Sequence, residues 1–123
     1  MLKERLSRDI VHTVDLLTDI SIYSILAMII SFADKFTRDI FNGSDSRYSR
    51  KLPPSLHGRA QRLLDQINAA PSLEFLAIPP GNRLEKLAGD LDGFWSVRIN
   101  IRWRIVFRWE GNDACAVRII DYH

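Results

Sequence analysis

Trp95-Ser96-Val97-Arg98-Ile99-Asn100-Ile101-Arg102-Trp103-Arg104-Ile105-Val106-Phe107-Arg108-Trp109 alternates apolar and polar side chains almost without a break. Period two marks a strand with one face buried and the other wet. The run is too long for one ordinary strand, so it is read as a hairpin turning near Asn100 to Arg102. Loop length decides what the hairpin can do. A three-residue loop at 100–102 sets Arg98 opposite Arg104 on one face, whereas a two-residue loop puts them on opposite faces. The three-residue loop is the reading adopted.

Downstream, Gly111-Asn112-Asp113 turns the chain into a last strand, Ala114 to Ile120, which delivers Asp121, Tyr122 and His123 to the rim of the sheet. Upstream, Pro79-Pro80-Gly81-Asn82-Arg83 is a turn, and Leu84 to Leu87 is a short strand ending at Gly89-Asp90. Leu56, Ala60, Leu63, Leu64 and Ile67 recur at helical spacing, with Ser55 as N-cap after Pro53-Pro54 and Pro71 as the stop. Ser31 followed by Asp34, with Phe32, Phe36 and Ile40, predicts a shorter helix ending at Asn42-Gly43, and Ile29 to Phe32 would form a strand before it. The fold class is therefore α+β: a small antiparallel meander packed on two or so helices.

Met28 opens that unit. Residues 1–27 read as an N-terminal extension of unknown role, or as an overextended start. They carry Leu2, Leu6, Ile10, Val14 and Leu17 at helical spacing, then an apolar stretch into residue 30. That stretch is short of the roughly 20 residues of a spanning helix, and acidic residues break any export signal. At 123 residues and 46% hydrophobic composition, the chain suits one domain with a real core. Cys115, in an apolar strand, suits a buried structural thiol in a reducing cytoplasm. His12, His57 and His123 lack zinc-site spacing, so neither a metal nor a cofactor is expected.

Net charge is +2, unevenly spread. The first 27 residues hold three basic and four acidic side chains, which leaves 14 basic and 11 acidic, net +3, for residues 28–123. Arg98, Arg102, Arg104 and Arg108 crowd the hairpin, with Arg83 and Lys86 just upstream. One reading is a phosphate-holding face; the other is a solvated face that protects a sheet edge. Pattern alone leaves both standing.

The segments Pro79-Pro80-Gly81-Asn82-Arg83-Leu84-Glu85, Leu87-Ala88-Gly89-Asp90, Trp95-Ser96-Val97-Arg98-Ile99-Asn100, Trp103-Arg104-Ile105-Val106-Phe107-Arg108-Trp109 and Asp121-Tyr122-His123 resemble the HigB toxins of the RelE/ParE superfamily. The resemblance covers residues 28–123. It implies a RelE-like fold and a cytoplasmic bacterial toxin of a type II toxin–antitoxin pair. Such a toxin enters the ribosomal A site and cuts messenger RNA there, without a metal, by attack of the 2′-OH. Its antitoxin would be a HigA-like helix-turn-helix protein, through which alone it would meet operator DNA.

On that basis Arg104 and Arg98 would hold the scissile phosphate, where bidentate guanidinium contact is strongest. His123 would act as acid or base. Tyr122 would stack on a base or lend its hydroxyl, and Asp121 would position its neighbours. Arg83 and Lys86 would contact RNA, while solvation is favoured for Arg59 and Arg62, and a structural role for His57. The chain departs from some HigB-like toxins at Glu85, where they carry His, and at Ala88, where they carry Lys. Glu85 is thus either the general base or a surface residue on a strand end. Two other functions fit the same fold: a ParE-like toxin that binds gyrase without cutting RNA, and an inactive paralogue that only binds antitoxin.

Overall fold

The computed structural model describes residues 28–122. The expected extension over residues 1–27 and His123 lie outside the described residues. Helices α1 (Lys35–Asn42) and α2 (His57–Ala69) precede four strands: β1 (Glu85–Lys86), β2 (Trp95–Arg98), β3 (Trp103–Glu110) and β4 (Asp113–Asp121). The strands form one antiparallel sheet in chain order.

Both helices pack on one face of the sheet. From α1 come Phe36, Ile40 and Phe41, and from α2 Ala60, Leu63, Leu64 and Ile67, all at helical spacing and all buried. They meet Val97, Ile105, Phe107, Ala114, Val117 and Ile119. Each fully buried Val, Leu, Ile or Phe among them contributes about 1.5–3 kcal/mol of transfer free energy.

The three-residue loop is confirmed. Ile99 donates its N–H to the carbonyl of Trp103 at 2.9 Å, and Arg98 is the cross-strand neighbour of Arg104. Asn100 makes the turn, because its Oδ1 accepts the N–H groups of Arg102 at 2.9 Å and of Trp103 at 2.7 Å. One side chain thus sets the register of the arginine pair.

Residues 28–33 add a parallel edge beside β4 through two isolated bridges, Ile29 with Ala114 and Phe32 with Val117, in place of the continuous strand expected. A bulge in β4 permits this. Ala116 takes φ 52°, and the register with β3 shifts between Val106 and Arg108. Ala114 and Val117, three apart, therefore both point into the core, which an unbroken period of two forbids. The Ala116 N–H leaves the ladder and donates to Ser31 Oγ at 2.8 Å. Ser31 is accordingly not the cap of α1. That cap is Asp34, whose Oδ1 accepts the Thr37 N–H at 2.8 Å, and Gly43 closes the helix at φ 71°.

Ser55 likewise is not a cap. Pro54–Leu56 is a 3₁₀ turn leading into α2, and Leu56 precedes the helix without a capping side chain. The strand expected over Leu84 to Leu87 shrinks to Glu85–Lys86.

Two buried polar side chains tie helices to the sheet. Asn68 Oδ1 accepts the Ile29 N–H at 2.9 Å, and Thr37 Oγ1 accepts the Ile119 N–H at 2.8 Å. Thr37→Val keeps the shape but strands a buried N–H, so unfolding free energy should fall by about 1–3 kcal/mol. Denaturant melts check this, and unchanged stability would contradict the tie.

Candidate functional site

The face of the sheet away from the helices carries Arg98, Arg104, Arg108 and Arg118, and Arg104 is its centre. The residue is buried, at 7% exposure, so the charge needs fixed ligands. Nε donates to Ser96 Oγ at 2.8 Å, one Nη to the Arg83 carbonyl at 2.7 Å, and the other Nη pairs with Glu85 Oε1 at 3.2 Å. The guanidinium carbon stands 5.6 Å from the centre of the Tyr122 ring. A guanidinium has five N–H groups in a rigid fork. Among the described residues Nε and one Nη donate hydrogen bonds and the other Nη faces Glu85 as an ion pair, so the fork still has N–H groups to offer an anion.

Each ligand arrives by a local cause. Ser96 lies across the ladder from Glu85 on one side and Val106 on the other, so Glu85 and Ser96 share the arginine face. The Arg83 carbonyl comes from the Pro79–Arg83 turn. Asn82 anchors that turn, donating from Nδ2 to Gln66 Oε1 at 3.0 Å and to the Leu76 carbonyl at 3.1 Å. Arg83 then takes φ 45°, a strained conformation for a residue other than glycine. That bend belongs to the site, because it aims the carbonyl that locks Arg104.

Arg98 is half-buried, and its guanidinium makes no hydrogen bond or ion pair among the described residues. Like charges on facing positions repel. Two guanidinia with one carboxylate therefore leave local positive charge that an anion would neutralise. Arg59 supports this strand end from α2: Nε donates to the Ile99 carbonyl at 2.8 Å, and Nη2 to those of Arg98 at 3.0 Å and Gly81 at 3.2 Å. Expected to be solvated, Arg59 instead joins helix, turn and hairpin.

Asp121 is placed against Arg102. Its carboxylate binds Arg102 through Nε at 2.8 and 2.9 Å and Nη2 at 2.6 Å, while the Tyr122 N–H donates to the Arg102 carbonyl at 2.6 Å. Hydrogen bonding to Asp121, then its charge, raises the Arg102 pKa above the ordinary value. This clamp fastens the end of β4 to the hairpin loop beside Tyr122. Lys86 sits apart as well: its cross-strand neighbour is Trp95, over whose ring its ammonium lies at 6.0 Å, so it occupies the face opposite Glu85.

The structure thus brings together Arg104, Glu85, Tyr122 and the backbone of Arg83, with Arg98 adjacent. Ser96 escaped the sequence reading, Arg59 was read as solvated, and Arg102 was counted only among the hairpin cations. Ser96 alone carried a legible signal, as the polar residue in phase with Arg98. Cys115 is buried, and burial, followed by the charge of Glu110, pushes its thiol pKa up, as suits a structural residue. Among the described residues, no group of three or more His, Cys, Asp or Glu could hold a metal ion. No helix there is long and apolar enough to cross a membrane.

Residues 30–123 match the family described as RelE-like toxin of type II toxin–antitoxin system HigB. The chain is 37% identical over 82 residues to Toxin HigB-1 of Vibrio cholerae, spanning 67% of this chain and 84% of that protein. It is 39% identical over 41 residues to Endoribonuclease HigB of Proteus vulgaris, 33% of this chain and 45% of the relative. In fold it is similar to a chain of the YoeB–YefM toxin–antitoxin complex of Staphylococcus aureus, with a TM-score of 0.51 at 22% identity over 79% of this chain and 99% of that one.

Proposed function

The chain belongs to the HigB-like toxins of type II toxin–antitoxin systems, and from that premise we propose that it is a metal-independent endoribonuclease of the bacterial cytoplasm that cuts messenger RNA in the ribosomal A site. Residues 28–123 are the toxin domain in this reading, and a HigA-like helix-turn-helix protein is its antitoxin. The observation that carries the reading is Arg104, held by two neutral acceptors and aimed beside a half-exposed carboxylate.

Cleavage needs a base for the 2′-OH, charge stabilisation at phosphorus and a proton for the leaving 5′ oxygen. Arg104 supplies the second through the N–H groups that Ser96 and Arg83 leave open, with Arg98 adding charge. Because Ser96 and Arg83 already hold the fork, little reorganisation accompanies the reaction. Glu85 is the base: its carboxylate is 54% exposed and stands 3.2 Å from the guanidinium, so a 2′-OH beside a phosphate on Arg104 comes within its reach. The 2′ oxygen bonds to phosphorus and the bond to the 5′ oxygen breaks. The products are a 2′,3′-cyclic phosphate and a 5′-hydroxyl end. His123 gives the leaving oxygen its proton, and Tyr122 stacks on a displaced base.

His123→Ala tests the assignment of the acid. Induced in a bacterium, the unsubstituted chain should arrest growth and deplete messenger RNA, and the variant should do neither. Arrest that survives the substitution would favour a toxin that binds gyrase, and no arrest by the unsubstituted chain would favour an inactive paralogue.

A further inference from the structure

We propose that the cleft between the start of α1 and the Arg47–Lys51 segment is a second RNA-phosphate site, which grips the strand some nucleotides away from the cut. The proposal rests on the endoribonuclease reading and extends it to a surface outside the cleavage site. The cleft measures about 630 Å³ and is lined by Lys35, Phe36, Arg47, Tyr48, Arg50 and Lys51. Its acidic neighbours are already engaged. Asp34, also on the wall, caps α1, and Asp45 pairs with Arg50 at 3.2 Å.

Lys35, Arg47 and Lys51 have no carboxylate partner among the described residues. Aromatic rings hold them instead: Lys35 and Arg47 lie 5.6 and 4.9 Å from the centre of Tyr48, and Lys51 lies 5.4 Å from that of Phe36. Arg47 also donates to the Tyr48 hydroxyl at 2.8 Å. A cation on a ring keeps its full charge for a phosphate, unlike one spent on a carboxylate.

The cleft is joined to the cleavage site. The Phe36 ring meets Trp103 edge-on at 6.3 Å, Arg102 lies 6.0 Å from the centre of Trp103, and Tyr122, whose N–H is held by Arg102, lies beneath Arg104. Phe36 and Trp103 are buried, so these contacts fix the cleft relative to the hairpin through the core. The two rings open to solvent, Tyr122 at 39% and Tyr48 at 37% exposure, stand one at each site. Within the cleft, cations without carboxylate partners beside the exposed Tyr48 ring suit a single nucleic-acid strand. An acidic peptide would use the cations but leave the Tyr48 ring with no base to stack.

The test is the affinity of the full chain for 2′-O-methyl RNA, which lacks the nucleophile and stays intact. One strand is just long enough to cover the Arg104 face, and the other long enough to reach Tyr48. In Lys35→Gln/Arg47→Gln/Lys51→Gln, long-strand affinity should drop about tenfold or more, and its logarithmic salt slope should shrink by about 2, since each lost phosphate contact removes about 0.7. Short-strand affinity and melting temperature should not change. Arg47→Glu alone, at an exposed position, should shift long-strand affinity in the same direction. Equal loss on both strands, or no loss, overturns the proposal. So does intact RNA binding with lost binding of an antitoxin protein. Failure of the endoribonuclease reading would appear separately, as absent cleavage by the unsubstituted chain.

Discussion

Arg104→Ala is expected to slow single-turnover RNA cleavage by about two to three orders of magnitude, the cost of removing one preorganised donor aimed at developing charge. The size follows from the surroundings. Arg104 is fixed before substrate arrives, by Ser96 Oγ and the Arg83 carbonyl, so its stabilisation of phosphorus needs no rearrangement in the transition state. Arg104→Lys should recover little, because an ammonium cannot reach Ser96, Arg83 and a phosphate in one planar fork. Removing the guanidinium also relieves repulsion with Arg98 on the facing position. The variant should therefore stay folded, which a melting curve checks, and near-normal cleavage by a folded Arg104→Ala would remove the arginine from the chemistry.

Glu85→Gln should reduce cleavage by about 10²- to 10⁴-fold, the range for loss of a general base. The amide oxygen can still accept from Arg104, so the fork keeps its third ligand and the change is confined to the proton. The same substitution removes a negative charge from the phosphate's approach, so uncleavable RNA should bind no more weakly. Lower rate with undiminished binding identifies a base, whereas weaker binding with unchanged rate at saturation identifies a surface contact. Full cleavage would end the assignment. Since some HigB-like toxins carry His at this position, Glu85→His is expected to retain more activity than Glu85→Gln.

The legibility of the chain follows from the range of its interactions. The alternation from Trp95 to Trp109 foretold β2 and β3 and a turn near Asn100, while the odd loop length, adopted without a deciding signal, is set by Asn100 accepting N–H groups two and three residues on. Once that register stood, so did Arg98 opposite Arg104. The remaining ligands of Arg104 depend on contacts that no period encodes: a carbonyl aimed by Asn82, itself held from Gln66 on another element, and a serine that looks unremarkable in its strand. The same holds for Ser31, which resembled a helix cap but serves the Ala116 bulge 85 positions away. Asp121 was assigned to the site with the closing Asp-Tyr-His segment, yet successive strand residues face opposite ways, and its carboxylate binds Arg102.

The most direct test of the account is the chemistry and position of new RNA ends in a bacterium after induction of this chain. The account predicts 5′-hydroxyl ends clustered within translated frames, appearing together with growth arrest and lost in Arg104→Ala. Growth arrest without such ends, or ends that persist undiminished in that variant, would contradict it.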